Sequence, residues 1–307
     1  MCPDLSATVF GGRIALAEIA RALGKNEEAD QWKDAAERIR SLILERLFVP
    51  EDGAFYDLDA QNRFVRVRSD VISRVCGEHV CDQRTFDNIW QKQLHNEHAF
   101  WAKYPFPSIA MDDPNYVGNV PRNSWGGPSQ ALTALRTCRW MDHYGRSAEH
   151  GVLMDRWCEA IQCDMTFRQQ INPETGAFGS EDEPGYSPCC LVMYEFTWRL
   201  AGIEDRHAEL RWNVRPGHPA ADRSRFSLWT DKGLRAELRY TDAGAELELR
   251  GKRIARVRGG SACIITSPDG EVQSAMGISE ERGTVEIEIA GGAPRKITLK
   301  PNERVPL

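Results

Sequence analysis

Asn123-Ser124-Trp125-Gly126-Gly127-Pro128 runs directly into Ser129-Gln130-Ala131-Leu132-Thr133-Ala134-Leu135. The first six residues place an amide, a hydroxyl and an indole ahead of two glycines, which let a backbone turn tightly or approach a ligand. Pro128 suits the first turn of a helix, and the residues after it predict a helix over about 128–144. A polar and aromatic cluster at the mouth of a buried helix fits a sugar ring, whose C–H faces stack and whose hydroxyls need paired partners. The same six residues also suit a plain helix-start loop with a packing Trp, so the rest of the chain has to decide.

Upstream lies Phe100-Trp101-Ala102-Lys103-Tyr104-Pro105-Phe106-Pro107, which cannot be regular helix because each proline restricts its predecessor. Met111-Asp112-Asp113-Pro114-Asn115-Tyr116 follows, and then Pro121-Arg122. A loop this long inside a compact domain is uncommon unless it is functional. Further out, residues 5–23 read as a helix with Leu16, Ile19, Ala20 and Leu23 on one face, stopped by Gly24. A second helix is expected from Asn26 to about Phe48, making a helical hairpin with the first. Shorter helices are expected at 69–77 and 83–95. Downstream, a helix over 147–168 precedes the turn Asn172-Pro173-Glu174-Thr175-Gly176. Ser187-Pro188 then starts a helix with Leu191, Tyr194, Trp198 and Ala201 facing inward.

After Ile203 the period changes from helical to two. Residues 226–229, 234–238, 245–249 and 284–289 alternate apolar with polar, and Gly-containing turns separate them. Short strands at this spacing indicate an antiparallel β-sandwich. The expected organisation is therefore mainly α with a C-terminal all-β domain: a helical domain over 1–203 and a β-sandwich over 204–307. The chain of 307 residues is 41% hydrophobic, enough for a real core, and carries a net charge of −6, which gives no footprint for nucleic acid. No apolar run is long enough to span a membrane and no secretion signal is read at Met1, so a cytoplasmic protein is expected. Its nine cysteines then read as reduced thiols. The seven histidines form no metal motif, and no nucleotide fingerprint or nucleophile elbow occurs, so neither metal nor cofactor is expected.

Helical hairpins followed by a small β domain resemble the six-hairpin (α/α)6 glycosidases, in the branch of trehalase, glycoside hydrolase family 63 and mannosylglycerate hydrolase. Pro3-Asp4-Leu5-Ser6 resembles that branch's Val-Asp-Leu-Asn, and Tyr104 to Tyr116 resembles its Tyr-Gly-x-x-Ser…Asp-Pro-x-Tyr segment. Trp125-Gly126-Gly127-Pro128 resembles Trp-Arg-Gly-Pro, and Asn172 to Gly176 resembles the turn after the family's catalytic base. The likeness covers about residues 3–203. It implies an inverting hydrolase of an α-linked sugar, with one protonated and one ionised carboxyl group about 6.5–9.5 Å apart. Two departures stand out. The resemblance puts the general acid upstream of the Asp-Leu-Asn motif, where only three residues precede Asp4, and the helices number six or seven against twelve in a closed barrel. An incomplete barrel is the expectation, needing a missing N-terminal half or self-association. The resemblance also puts the base on Gln169, whose amide can hold a hydroxyl but cannot take a proton from water.

Other carboxylates near the expected cleft are Asp112, Asp113, Glu174, Glu181, Asp182 and Glu183. Adjacent Asp112 and Asp113 could raise each other's pKa and so make an acid, with Glu174 as the partner base. Asp113 before Pro114, Glu174 in its turn and the run 181–183 are also ordinary turn and loop residues. Candidate ligand contacts are Tyr104, Phe106, Asp112, Asn123, Trp125, Gln169, Gln170 and Tyr186. The partner implied is a carbohydrate, bound by a glycosidase or by a non-catalytic module on the same scaffold.

Overall fold

The computed structural model describes residues 1–118 and 120–307. Helix α1 (Pro3–Ala22) opens with proline in its first turn and Asp4 beside its positive end, and α2 (Asn26–Arg46) opens with Glu27 and Glu28 there. The two pack as a hairpin through small buried residues, Ala7, Ala17 and Ala20 against Ala29 and Ala36, with Phe10 and Ile43 filling between. Helix α3 (Val71–Gly77) follows, then α4 (Gln83–Ile89), where the Asp82 carboxylate caps the Thr85 N–H at 2.8 Å. A π-helical turn, Trp90–Leu94, continues α4. The remaining helices are α5 (Ala131–Arg136), α6 (Ser147–Asp164) and α7 (Ser187–Ala201).

Three expectations are corrected. Pro128 does not begin a helix, because Ser129–Gln130 is extended and pairs antiparallel with Gln170–Ile171. Helix α5 therefore starts at Ala131 and is only six residues long before a 3₁₀ turn. On α7, Ala201 is buried as expected, but Leu191 and Tyr194 face solvent, and the other buried residues are Cys189, Val192, Phe196 and Leu200. The third concerns α1: Ala20 is buried, but Leu5, Val9, Leu16, Ile19 and Leu23 are 65%, 42%, 42%, 56% and 68% exposed. These five recur at three-, four- and seven-residue steps, so they form one apolar stripe turned away from α2.

The contacts divide the chain into two units. One comprises Met1–Tyr144 with Ala160–Cys190, and the other Gly145–Glu159 with Leu191–Leu307. This division falls within α6 and α7, whereas the sequence placed a boundary at 203/204. Within the second unit, the His218 ring lies 2.7 Å from the Asp155 carboxylate and Asn302 accepts from the Ala148 N–H at 2.8 Å. Those bonds attach the first turns of α6 to the β region. The β region itself holds a six-stranded antiparallel sheet, in the order 295–299, 283–289, 252–259, 244–249, 235–241 and 225–229. A five-stranded sheet runs 304–306, 272–276, 262–266, 210–214 and 203–205. Leu238, Leu247, Val257 and Ile287 of the first sheet share one buried cluster with Trp212, Val214 and Ile264 of the second, which makes a sandwich. No helix among the described residues is long and apolar enough to cross a membrane.

The α1 stripe gives a direct test. Replacing Leu16 and Ile19 together by lysine should lower the fluorescence of a hydrophobic dye bound to the protein. The melting temperature should hardly move, because exposed substitutions usually stay within about 0.5 kcal/mol. A loss of several kcal/mol, as expected for core residues, would show that the stripe is covered.

Candidate functional site

The organising group of the helical unit is the Gln170 side chain, which is fully buried. Its Oε1 accepts from the Ser124 N–H at 2.7 Å and from Gln130 Nε2 at 3.2 Å. Its Nε2 donates to the carbonyls of Val120 and Arg122, both at 2.9 Å. Two acceptor sites and two donors are all an amide has, so Gln170 is saturated by holding 120–124. Gln130 extends the network, donating to the Ser124 carbonyl at 2.7 Å. Expected as a ligand contact, Gln170 is instead a strut, with no group left to offer.

Gln169 sits at a bend just before the strand Gln170–Ile171 and lines a cleft of about 520 Å³. Asn123, Tyr186, Arg122, Glu181, Asp182 and Glu183 line the same cleft. Gln169 Nε2 lies 3.3 Å from Gln130 Oε1, which aims its amide. Asp182 is the group that sequence reasoning passed over as part of a solvated run. Glu181 and Glu183 are exposed, but Asp182 is 7% exposed, and neither of its oxygens has a hydrogen-bond partner. Gly179 makes the room: a Cβ there would lie 2.9 Å from Asp182 Oδ2 and 2.8 Å from the Pro121 carbonyl. Burial pushes the Asp182 pKa up. The N–H groups of Asn123 and Gln170 and the Arg168 guanidinium pull it down, from positions outside good hydrogen-bond geometry, and do not prevail.

The other candidates lie elsewhere. Phe106 is core, with its ring 5.7 Å from Trp101 and 5.8 Å from Trp140. Tyr104 is buried against the turn 172–176: its N–H donates to the Pro173 carbonyl at 2.8 Å, and its ring occupies the place of a Gly176 side chain. Gly176 also has φ +75°, so glycine is doubly required there. Glu174 sits exposed at the tip of that turn, where Asn172 Oδ1 caps the N–H groups of 174 and 175. Trp125 is 37% exposed and does not line the cleft, and the Arg74 guanidinium lies over its ring at 5.1 Å. Arg68 lies between Asp112 and Asp113, 2.8 Å from Asp112 and 3.5 Å from Asp113. Burial would lift the Asp113 carboxyl, but it accepts from the N–H groups of Arg68 and Asn115 and from the Asn115 amide, each at 2.9 Å. Together with the Arg68 charge these hold its pKa below the usual range. A carboxyl so held is a poor proton donor, which corrects the expected acid. The expected acid–base pair of Asp113 and Glu174 is therefore not assembled in the cleft.

Comparison with known proteins follows from this geometry. The family described as Mannosylglycerate hydrolase MGH1-like glycoside hydrolase domain matches residues 1–198. A search of curated protein sequences finds no match. Among solved structures, a sialidase superposes with TM-score 0.65 at 15% identity, over 83% of this chain and 26% of its own. A GH63 mannosylglycerate hydrolase from Thermus thermophilus, in complex with glucose, superposes with TM-score 0.52 at 19% identity, over 63% of this chain and 47% of its own. The neutral trehalase from Saccharomyces cerevisiae gives 0.53 at 12% identity, over 66% and 38%. The likeness is one of fold, that of the (α/α)6 glycosidases. The chain spans between about a quarter and about a half of the length of these structures.

Asp113 and Asp182 should titrate in opposite senses. Asp113, with its pKa lowered on folding, contributes stability that is present above the unfolded value of about 3.9 and lost as pH falls through the folded value. Asp182, with its pKa raised, contributes stability that is full below about 3.9 and lost as pH rises through its folded value. In urea melts at neutral pH, Asp113→Asn should cost about 1–3 kcal/mol, the range for bonds to a charged group. Asp182→Asn should stabilise the protein there, with the gain vanishing in acid. Equal pH slopes for the two variants would contradict these assignments.

Proposed function

This chain belongs to the MGH1-like glycoside hydrolase family, and from that premise we propose that the cleft around Asn123, Gln169 and Tyr186 binds a carbohydrate without cleaving it unaided. One observation carries the reading: the residue just before the Gln170–Ile171 strand, which lines the cleft, is a glutamine, Gln169. Its amide can grip a sugar hydroxyl but cannot act as a general base. Asn123 adds a second amide and Tyr186 an aromatic ring with a polar tip, the mixture that sugar recognition uses.

The hydrolysis proposed for an assembled site is inverting cleavage of an α-linked sugar, with a general acid supplied from outside these residues. Two observations favour help from another segment or subunit. The chain spans under half the length of the mannosylglycerate hydrolase with which it superposes. The α1 stripe also leaves five large apolar residues uncovered. A helix carrying apolar residues at matching three- and four-residue steps would cover it. A second reading rests on Asp182, a cleft carboxyl in an environment that favours its protonated form. A movement of loop 179–186 that brought it to the surface would give the cleft a proton donor.

The test is calorimetric titration of the purified chain with glucose and trehalose, beside assays on trehalose and aryl α-glucosides. Saturable binding is expected, weakened about tenfold (about 1.4 kcal/mol) by Asn123→Ala or Tyr186→Ala, with no turnover. Turnover that Asp182→Asn reduces by about 10²–10⁴, the usual loss on removing an acid or base, would replace the binding reading by the second one. Absence of saturable binding would overturn both.

A further inference from the structure

A second concavity, of about 190 Å³, lies in the same unit between α1, α3 and the end of α5. Three guanidinium groups, those of Arg74, Arg136 and Arg139, line it. Two of them are already matched to carboxylates. Arg74 is 3.1 Å from Asp4 and 3.1 Å from Asp70, and Arg139 is 3.0 Å from Glu78. Arg136 is half-buried, and none of the described residues forms an ion pair or a side-chain hydrogen bond with it. Burial, together with the like charges of Arg74 and Arg139, disfavours its cation and lowers its pKa; the attraction of Asp70 and Asp4 does not offset this. Burial also raises the pKa of Asp70, against the pull of Arg74 and the Thr133 hydroxyl.

A guanidinium cannot escape such a place by deprotonating. Its five N–H donors are arranged as a fork that matches two oxygens of one group. The pocket thus holds an uncommitted cation, flanked by Arg74, which binds two carboxylates, and Arg139, which binds one. The carboxylates of Asp4 and Glu78 that pair with these two also line the pocket, and the rest of the lining is Thr8, Ser73 and Gly77.

We propose that this pocket binds an oxyanion group, a phosphate or a carboxylate, with Arg136 as its principal ligand and Arg74 and Arg139 supplying the surrounding positive field. The proposal stands apart from the sugar cleft, which shares no lining residue with it. The oxyanion can be free or carried on a sugar, and the two sources differ in size and charge.

Calorimetry on the full chain at about 0.15 M salt, where exposed charges are screened over about 8 Å, tests this with inorganic phosphate, glucose 6-phosphate and glucuronate. At least one of the three should bind saturably at one site. Arg136→Gln should weaken it at least about tenfold, while Arg136→Lys, which keeps the charge but loses the fork, falls between. Phosphate binding as tightly as glucose 6-phosphate assigns a free anion, and tighter binding of a sugar derivative assigns a sugar-borne one. Thr8→Glu, which removes no tertiary contact and puts a carboxylate at the pocket, should abolish the same binding and settles the matter if Arg136→Gln fails to fold. Tyr186→Ala, in the other cleft, should leave it unchanged. No saturable binding of any probe, or undiminished binding in both Arg136→Gln and Thr8→Glu, overturns the proposal.

Discussion

Four hydrogen bonds to one buried amide hold the loop beside the cleft of the helical unit in place. Gln170 ties its own strand to the Ser124 N–H, the Gln130 amide and the carbonyls of Val120 and Arg122. The segment it holds has little regular structure of its own, and besides this contact it is held by the Glu181 N–H on the Pro121 carbonyl at 2.8 Å and by Gln130 on the Ser124 carbonyl at 2.7 Å. An apolar side chain at 170 would remove all four of its bonds, each typically contributing about 1 kcal/mol. Gln169, next to it, lines the cleft while its amide meets the same Gln130 side chain at 3.3 Å.

Charge is distributed along the same lines. Several carboxylates of the helical unit have an arginine neighbour: Arg68 serves Asp112 and Asp113, Arg74 serves Asp4 and Asp70, and Arg139 serves Glu78. Asp182 is buried without a donor, and Arg136 is a cation without a carboxylate. Environments that push ionisable groups away from their ordinary behaviour are concentrated at functional sites, and these two groups belong to two polar concavities of the unit. The Asn123–Trp125 segment runs between them, with Asn123 in the cleft and Trp125 under the Arg74 guanidinium.

Much of the fold was legible in the sequence because periodicity is local. The helical hairpin, the turn at 172–176 and the alternation of the sandwich strands all emerge at the expected places. Periodicity finds a stripe but not what covers it, which is why Leu16, Ile19 and Leu23 read as core although they face outward. Helix α5 was overextended because the pairing of Ser129–Gln130 with residues 170–171 spans some forty positions, and no propensity reports it. The same distance hid the roles of the two glutamines. Adjacent in sequence, one is buried with all its amide groups bonded and the other lines the cleft. Asp182 had a faint signal in its exposed neighbours Glu181 and Glu183, since alternation places the middle residue on the other side. Arg74 and Arg136 had another, each being a charge among buried neighbours, but only the fold brings them together.

The claim that one amide orders the loop beside the cleft is tested most directly by backbone hydrogen exchange at Ser124, comparing the native chain with Gln170→Leu. Exchange free energies report local opening. In the native protein the Ser124 N–H should be strongly protected despite its place in a loop. In the variant its exchange should accelerate by at least about tenfold, equivalent to about 1.4 kcal/mol, while amides within α2 keep their protection. Fast exchange at Ser124 in the native chain, or protection there that survives Gln170→Leu, would contradict the account.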